Sequence, residues 1–269
     1  MLTKDNSSEE TGSAYGWEKM TGSKPNRPKM IIFDYGNTLL HEPDFDLMRG
    51  ARELFKHVVK NPDNVTVEQI CEFDHKIFEQ YNDCRRQGFE IHEWQGLRFV
   101  YEYLKLELDI SVKEAERIMW ENTSVGACMP EVREMLSSLQ EFGIRSGVIS
   151  NIAWSGQALT DRINRLLPKN QFEFVIASSE YGFRKPEPLL FELALKKADL
   201  QPQEVWYCGN SIRADVYGAH NAGIFPVFYE ELTIEDPARK ENIGLQIDVP
   251  HLHIHKWTEL INEIKKTEA

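Results

Sequence analysis

Four short stretches place chemically useful side chains directly after apolar runs. Asp34-Tyr35-Gly36-Asn37-Thr38-Leu39 follows Met30-Ile31-Ile32-Phe33. A carboxylate in that position can act as a nucleophile or ligate a hard metal ion, although Asp, Gly and Asn are also the ordinary residues of a turn. Val148-Ile149-Ser150-Asn151 ends in a hydroxyl and an amide that could donate to a phosphoryl oxygen, or simply cap a helix. Ser178-Ser179-Glu180-Tyr181-Gly182-Phe183-Arg184-Lys185-Pro186-Glu187-Pro188 sets two cations just ahead of a helix with Pro near its first turn. A helix N-terminus already attracts anions, and Lys185 adds a full point charge; the plainer alternative is a solvated basic pair. Gly209-Asn210-Ser211-Ile212-Arg213-Ala214-Asp215 offers an amide and, five residues on, a carboxylate, or else a turn and a cap.

These stretches need a scaffold that gathers them. Met30–Phe33, Arg145–Asn151, Phe172–Ala177, Val205–Asn210 and Ile224–Tyr229 are short apolar runs separated by helical patterns ending at Gly143, near Ala198 and near Gly223. Apolar strands alternating with helices of 10 to 15 residues predict βαβ units, so a Rossmann-like α/β fold with a parallel sheet flanked by helices. Ligands of such sheets bind outside the carboxyl ends of the strands, where Asp34, Ser150-Asn151, Ser178-Ser179 and Gly209-Asn210 fall. Residues 45–125 read differently, as helices. Thr66…Gln69 and Ser111…Glu114 fit the capping-box pattern. Ile91, Trp94, Leu97, Tyr101, Leu104 and Leu108 recur at spacings of three and four, an amphipathic stripe. Residues 1–28 are polar and aperiodic and read as a flexible tail, with Trp17 its single large apolar group.

Taken together, the four stretches resemble the haloacid dehalogenase-like (HAD) hydrolase superfamily. Its four motifs occur in order, each at a predicted strand end; Ser179–Pro188 and Asp215-x-x-Gly218-Ala219 are close to the family pattern. The resemblance spans about residues 30–232, and the long gap between Asp34 and Asn151 fits a helical cap inserted after the first motif, as in subfamily I. It implies a core of residues 29–41 and 129–269, an α-helical cap domain of residues 42–128, and the tail outside both. In the phosphatases of this family the first Asp attacks phosphorus to form an aspartyl-phosphate; Asp34 matches. Ser150 matches the hydroxyl that holds a phosphoryl oxygen, with Asn151 beside it. Lys185 matches the Lys that balances negative charge around nucleophile and phosphate. The implied cofactor is Mg²⁺, held by Asp34, the Gly36 carbonyl, Asn210 and Asp215. The implied substrate is a phosphate ester or phosphoanhydride of a small metabolite.

Two departures shape that expectation. The family usually has a second Asp, the general acid and base, where this chain has Gly36. General acid catalysis contributes about 10²–10⁴-fold, so its loss favours good leaving groups or a proton supplied by substrate or water. Asn210 stands where a metal-binding Asp is common, so the metal site is short of negative charge and weak binding is expected, with Asp215 compensating directly or through water. Two other readings remain. One is a metal-independent hydrolase like the dehalogenases, which also lack the second Asp. They carry a Tyr two residues after the nucleophile, however, whereas Tyr35 follows by one, and no halide-binding Arg is evident. The other is a non-catalytic fold binding a phosphorylated ligand or a protein partner; the retention of Asp34, Ser150, Lys185 and Asp215 argues against it.

Composition removes whole classes. A net charge of −12 opposes general nucleic-acid or anionic-membrane binding. No apolar stretch approaches the ~20 residues of a membrane span, and the N-terminus lacks a secretory pattern. Cys71, Cys84, Cys128 and Cys208 are scattered, which predicts neither disulfides nor zinc and suits a reducing cytoplasm. His251, His253 and His255 alternate with Leu252 and Ile254; a half-buried strand with the histidines outward is expected, rather than a metal site. Trp154 is a candidate pocket wall or packing residue, Trp94 and Trp120 belong to the cap core, and Glu230-Glu231 and Glu235-Asp236 are expected on the surface.

Overall fold

The computed structural model describes residues 25–234 and 237–267. Most of the predicted tail, with Trp17, and the pair Glu235-Asp236 lie outside the described residues.

Strand β1 (Met30–Phe33) leads through β2 (Leu40–His41) into helix α1 (Leu47–Phe55), strand β3 (Val58–Lys60), helices α2 (Val67–Arg86) and α3 (Glu93–Tyr103), strand β4 (Glu107–Leu108) and helix α4 (Val112–Thr123). The chain returns through β5 (Ala127–Cys128). It then alternates α5 (Val132–Glu141), β6 (Arg145–Ser150), α6 (Gly156–Leu166), β7 (Phe172–Ala177), α7 (Pro188–Ala198) and β8 (Val205–Gly209). A widened helical turn (Ile212–Tyr217) and α8 (Gly218–Asn221) precede β9 (Phe225–Tyr229), α9 (Pro237–Asn242), β10 (Leu252–Ile254) and α10 (Trp257–Lys266).

Six of these strands form one sheet in the order β10-β9-β8-β1-β6-β7, with every neighbouring pair parallel. The expected strands and parallel α/β architecture are therefore present. β1 shows why the sheet must be covered on both sides. Its residues are all fully buried, and they alternate: Ile31 and Phe33 join one apolar cluster, Met30 and Ile32 the other. A strand with no polar face is the mark of a parallel sheet between two helical layers. Burying each such side chain contributes about 1.5–3 kcal/mol, so β1 is anchored from both faces and its carboxyl end is a firm platform.

The segment between β2 and β5 packs around its own cluster, including Ala51, Leu54, Ile70, Leu97, Val100 and Met119. Both passages between it and the sheet lie side by side, where β2 pairs antiparallel with β5 (Leu40 with Cys128, His41 with Ala127). Thr66 caps α2 in a reciprocal capping box, and the Ser111 hydroxyl accepts from the Glu114 amide at the start of α4. The all-helical expectation needs one adjustment. Val58 pairs with Leu108 in a short antiparallel ribbon of β3 and β4. The Trp94–Leu97–Tyr101 stripe lies on α3, but Leu104 and Leu108 fall beyond its end because Lys105 takes a left-handed conformation (φ 54°) that turns the chain into β4. Periodicity alone does not register such a reversal. No described helix is long and apolar enough to cross a membrane.

Candidate active site

The carboxyl ends of β1, β6 and β8 meet over one cavity of about 330 Å³, lined by Asp34, Gly36, Ser150, Asn151, Lys185, Asn210 and Asp215 among others. Asp34, Gly36, Ser150, Asn151, Lys185, Asn210 and Asp215 thus converge, although Asp34 and Lys185 are 151 positions apart; Ser178 and Ser179, at the end of β7, instead bind Glu90 and the Ile152 and Trp154 carbonyls.

Asp34 follows the last residue of β1 and is held in the ladder by its amide, which donates to the Cys208 carbonyl at 2.8 Å. Lys185 comes from the loop between β7 and α7. Its ammonium, 4% exposed as a residue, donates to Asp34 Oδ1 at 2.6 Å, Asp215 Oδ1 at 2.7 Å and the Ile149 carbonyl at 3.1 Å, and lies 2.6 Å from Tyr207 Oη. Asn151 fixes that loop. Its amide donates to the Lys185 carbonyl and accepts from the Lys185 amide, both at 2.8 Å. The Asn151 side chain is therefore committed to positioning Lys185, which leaves its backbone to face an anion.

Asp215 is 2% exposed and has both oxygens engaged, Oδ1 by Lys185 and Oδ2 by the Ser211 amide at 2.8 Å. The carboxylate packs against Gly209, where a Cβ would lie 2.3 Å from Asp215 Cγ, so only glycine can end β8 there. Asn210 Oδ1 accepts from Thr38 Oγ1 at 3.4 Å, and its backbone carbonyl is held by Asn242 of α9 at 2.9 Å. Ser150, 3% exposed, closes β6 and lines the cavity.

The electrostatics follow from burial. It pushes the Asp34 carboxyl up to about 6; Lys185 pulls it down and Asp215 pushes it up again. Burial opposes the charged Lys185 ammonium, but Asp215 and Asp34 outweigh it and hold its pKa above the usual lysine value. A carboxylate presented at a strand end, with a fixed ammonium behind it, can attack an electrophile whose excess negative charge the ammonium balances. Asp34, Gly36, Asn210 and Asp215 line one cavity, and the carboxylate, carbonyl and amide oxygens that such residues offer suit a hard divalent cation such as Mg²⁺, which accepts one or two carboxylates and keeps waters.

Several neighbours carry no sequence signal. Tyr207 sits inside β8 and reads as one more apolar strand residue, yet its hydroxyl meets the Lys185 ammonium. Glu90, from the segment after α2, accepts from Arg85 Nε and Ser178 Oγ and pairs with Arg184; with the Glu90–Gly182 and Arg184–Gly88 backbone bonds it ties the helical segment to the Lys185 loop. Glu116 of α4 does the same for the loop after β6, accepting from Trp94 Nε1, the Ser155 amide and Ser155 Oγ. Trp154 is a pocket wall and also a packing residue, stacked on Trp120 with centroids 5.1 Å apart and planes at 4°. Leu252 and Ile254 are buried as the alternation predicts, while His253 and His255 turn to Glu230, His253 Nε2 at 3.1 Å from its carboxylate and His255 Nδ1 at 2.9 Å from its carbonyl; these three side chains bring ligand atoms within 4.8 Å of one another, close enough to share a metal ion.

The sequence profile of haloacid dehalogenase-like hydrolases matches residues 31–228, from β1 into β9. The chain belongs to this family. A glyceraldehyde 3-phosphate phosphatase of Pyrococcus furiosus is 27% identical over 224 residues, 78% of this chain and 85% of that protein. A ribulose-1,5-bisphosphate 5-phosphatase of Halopiger xanaduensis is 24% identical, over 74% of this chain and 84% of its own. Among solved structures, a 2-haloacid dehalogenase of Pseudomonas syringae superposes with a TM-score of 0.56 at 21% identity, covering 90% of this chain and all of the other. An HAD phosphatase of Thermococcus onnurineus gives 0.56 at 18% identity, covering 87% and 96%. These structures share the HAD fold; the chemistry is read from the side chains.

Proposed function

We propose that this HAD-family chain is a phosphatase that hydrolyses the phosphate ester of a small metabolite through an aspartyl-phosphate at Asp34. The observation that carries the reading is the buried Lys185 ammonium joining Asp34 and Asp215 at the wall of a cavity that also holds Ser150. The phosphatase names of relatives that align over three-quarters of the chain support it.

Asp34 attacks phosphorus as the carboxylate; an Asp34–phosphorus oxygen bond forms and the ester oxygen leaves. Water then attacks the acyl phosphate, releases inorganic phosphate and restores Asp34. Ser150 and the backbone at Asn151 hold phosphoryl oxygens, and Lys185 balances the charge gathered between Asp34 and the phosphate. Asp34, the Gly36 carbonyl and Asn210 would hold Mg²⁺, with Asp215 adding charge behind them. When bound, the ion lowers the repulsion between the carboxylate and the phosphate dianion. With glycine at position 36, the departing oxygen takes its proton from water or from the substrate, so good leaving groups react best. The helical segment of residues 42–128 serves as the cap over the core of residues 29–41 and 129–269, excluding bulk water on closure. Four free cysteines suit a reducing cytoplasm.

A metabolite-phosphate and aryl-phosphate panel with and without Mg²⁺ tests this. Phosphate release that requires Mg²⁺, stops with EDTA and falls by at least about 10³-fold in Asp34→Asn is expected. Halide release without metal would replace the phosphatase by a dehalogenase. Thermal stabilisation by phosphorylated metabolites with no turnover would make it a binding protein.

A further inference from the structure

Beside the Asp34 cavity lies a second one of about 320 Å³, and the two share Phe45, Asn151, Ile152 and Trp154 as common walls. It is roofed by the helical segment, with Ile77, Phe78 and Tyr81 of α2 and Ile91 ahead of α3 among its lining. Into this apolar room come two carboxylates, Asp74 from α2 and Glu93 from the first turn of α3. The Glu93 amide donates to the Ala153 carbonyl at 2.8 Å, which fixes this turn three residues from Ser150 on the opposite wall.

Neither carboxylate takes a hydrogen bond or a salt bridge among the described residues. The contrast with the neighbouring acids is sharp. Glu90 accepts from two arginines and Ser178, and Glu116 from Trp94 and Ser155. Both residues are half-buried, and a carboxyl group drawn partly out of water is normally given a hydrogen-bond partner, because hydration lost on burial is otherwise not replaced. Burial, with repulsion from Asp74 and Glu116, outweighs the pull of Arg85 and pushes Glu93 up to about 8; burial likewise outweighs His75 and raises Asp74. The basic side chains on the same walls are engaged elsewhere: Arg85 by Glu90 and by stacking over Phe78 at 4.5 Å, while His92 Nδ1 accepts from the Trp94 amide and its Nε2 lies 3.5 Å from Glu180. His75 lies 3.4 Å from Glu79. What the room offers a ligand is thus apolar surface and two carboxyl groups without a hydrogen-bond partner, which an ammonium would hold ionised.

We propose that this chamber receives the leaving group of the substrate and selects one that carries a protonated amine on an apolar body, so that the physiological substrate is the phosphate monoester of an amine-bearing alcohol or phenol. The phosphate lies at Asp34 and Lys185, and the ammonium donates to Glu93 and Asp74. The proposal rests on the phosphatase reading for its phosphate end, while the chamber is defined independently by its walls.

Three aryl phosphates of matched size test it: phosphotyramine, 4-propylphenyl phosphate and 3-(4-phosphooxyphenyl)propanoate, which differ only in the charge of the distal group. The kcat/KM should fall in the order ammonium, neutral, carboxylate, with the ammonium ester at least about tenfold above the neutral one, as a charge-assisted hydrogen bond requires. In Glu93→Gln and in Asp74→Asn that ratio should collapse toward one. Equal kcat/KM for the three esters, or a ratio unchanged in both variants, overturns the proposal. Should none of the esters be hydrolysed, the phosphatase reading falls. The chamber is then judged by calorimetry with tyramine and 4-propylphenol: tenfold tighter tyramine binding that Glu93→Gln removes upholds it, and equal binding overturns it.

Discussion

The two adjoining cavities treat their acids in opposite ways. In the Asp34 cavity the buried charges are partnered: Lys185 is shared by Asp34, Asp215 and Tyr207, and Asp215 also accepts the Ser211 amide. In the chamber under α2 and α3, the half-buried Asp74 and Glu93 line mainly apolar walls with no hydrogen-bond partner among the described residues. The first arrangement is rigid and already charged for one reaction, whatever the substrate. The second lacks a partner that a ligand can bring. Preorganisation belongs where the chemistry is constant, and unsatisfied polar groups belong where a substrate must be recognised, because an analogue that fails to satisfy them is rejected.

The largest expected effect comes from breaking the satisfied network. Lys185→Met leaves Asp34 and Asp215 buried without their cation, and removing one partner of a buried pair costs about 3–5 kcal/mol. Denaturant unfolding in EDTA should show that loss, and Asp34→Asn in the same background should recover part of it. A stability change under about 0.5 kcal/mol, as for an ordinary surface substitution, would mean the network contributes little.

The next effect is on the leaving group. A Cβ at position 36 meets nothing within 4 Å, so the backbone there accepts a side chain in Gly36→Asp. It should raise turnover of poor alkyl leaving groups by about 10²-fold, the lower range for a general acid, and change aryl phosphates less. An equal change for both classes would show that protonation does not limit the reaction.

The smallest effect concerns the chamber's own acid. Glu93 titrates near 8 in the fold against an ordinary 4.5. A raised carboxyl stabilises the fold most below its unfolded value, and that contribution is lost as pH climbs through the folded one. Glu93→Gln does not ionise, so its stability relative to the parent, followed by thermal melting, should be greater at pH 9 than at pH 5, by on the order of 1 kcal/mol given the partial solvent access of the site. Parallel melting curves at both pH values would place Glu93 in a more polar setting than the cavity suggests.

How much of this was legible beforehand depended on whether the signal was local. Asp34, Ser150 and Asn210 stood out because an apolar run ends in a polar residue, and Lys185 because a basic pair precedes a helix. Tyr207 was hidden, since a tyrosine inside a buried strand has the same pattern whether its hydroxyl is idle or meets an ammonium. Asn151 looked like an anion donor, yet its amide grips the Lys185 backbone from 34 positions away. The ribbon of β3 and β4 escaped for a related reason, as two or three residues are too few to show a period.

Sequence alone determined the alternation of buried strands and helices, the placing of polar groups at strand ends and the substitution of Gly36 and Asn210 for acidic residues. These are properties of neighbouring residues, set by backbone preference and by the need to bury apolar surface. Tertiary structure alone decided that Lys185 bridges Asp34 and Asp215, and that Asp74 and Glu93, ordinary polar positions on two helices, share an apolar room. Whether a charge is paired depends on what folds against it, and that is fixed by long-range packing rather than by spacing along the chain.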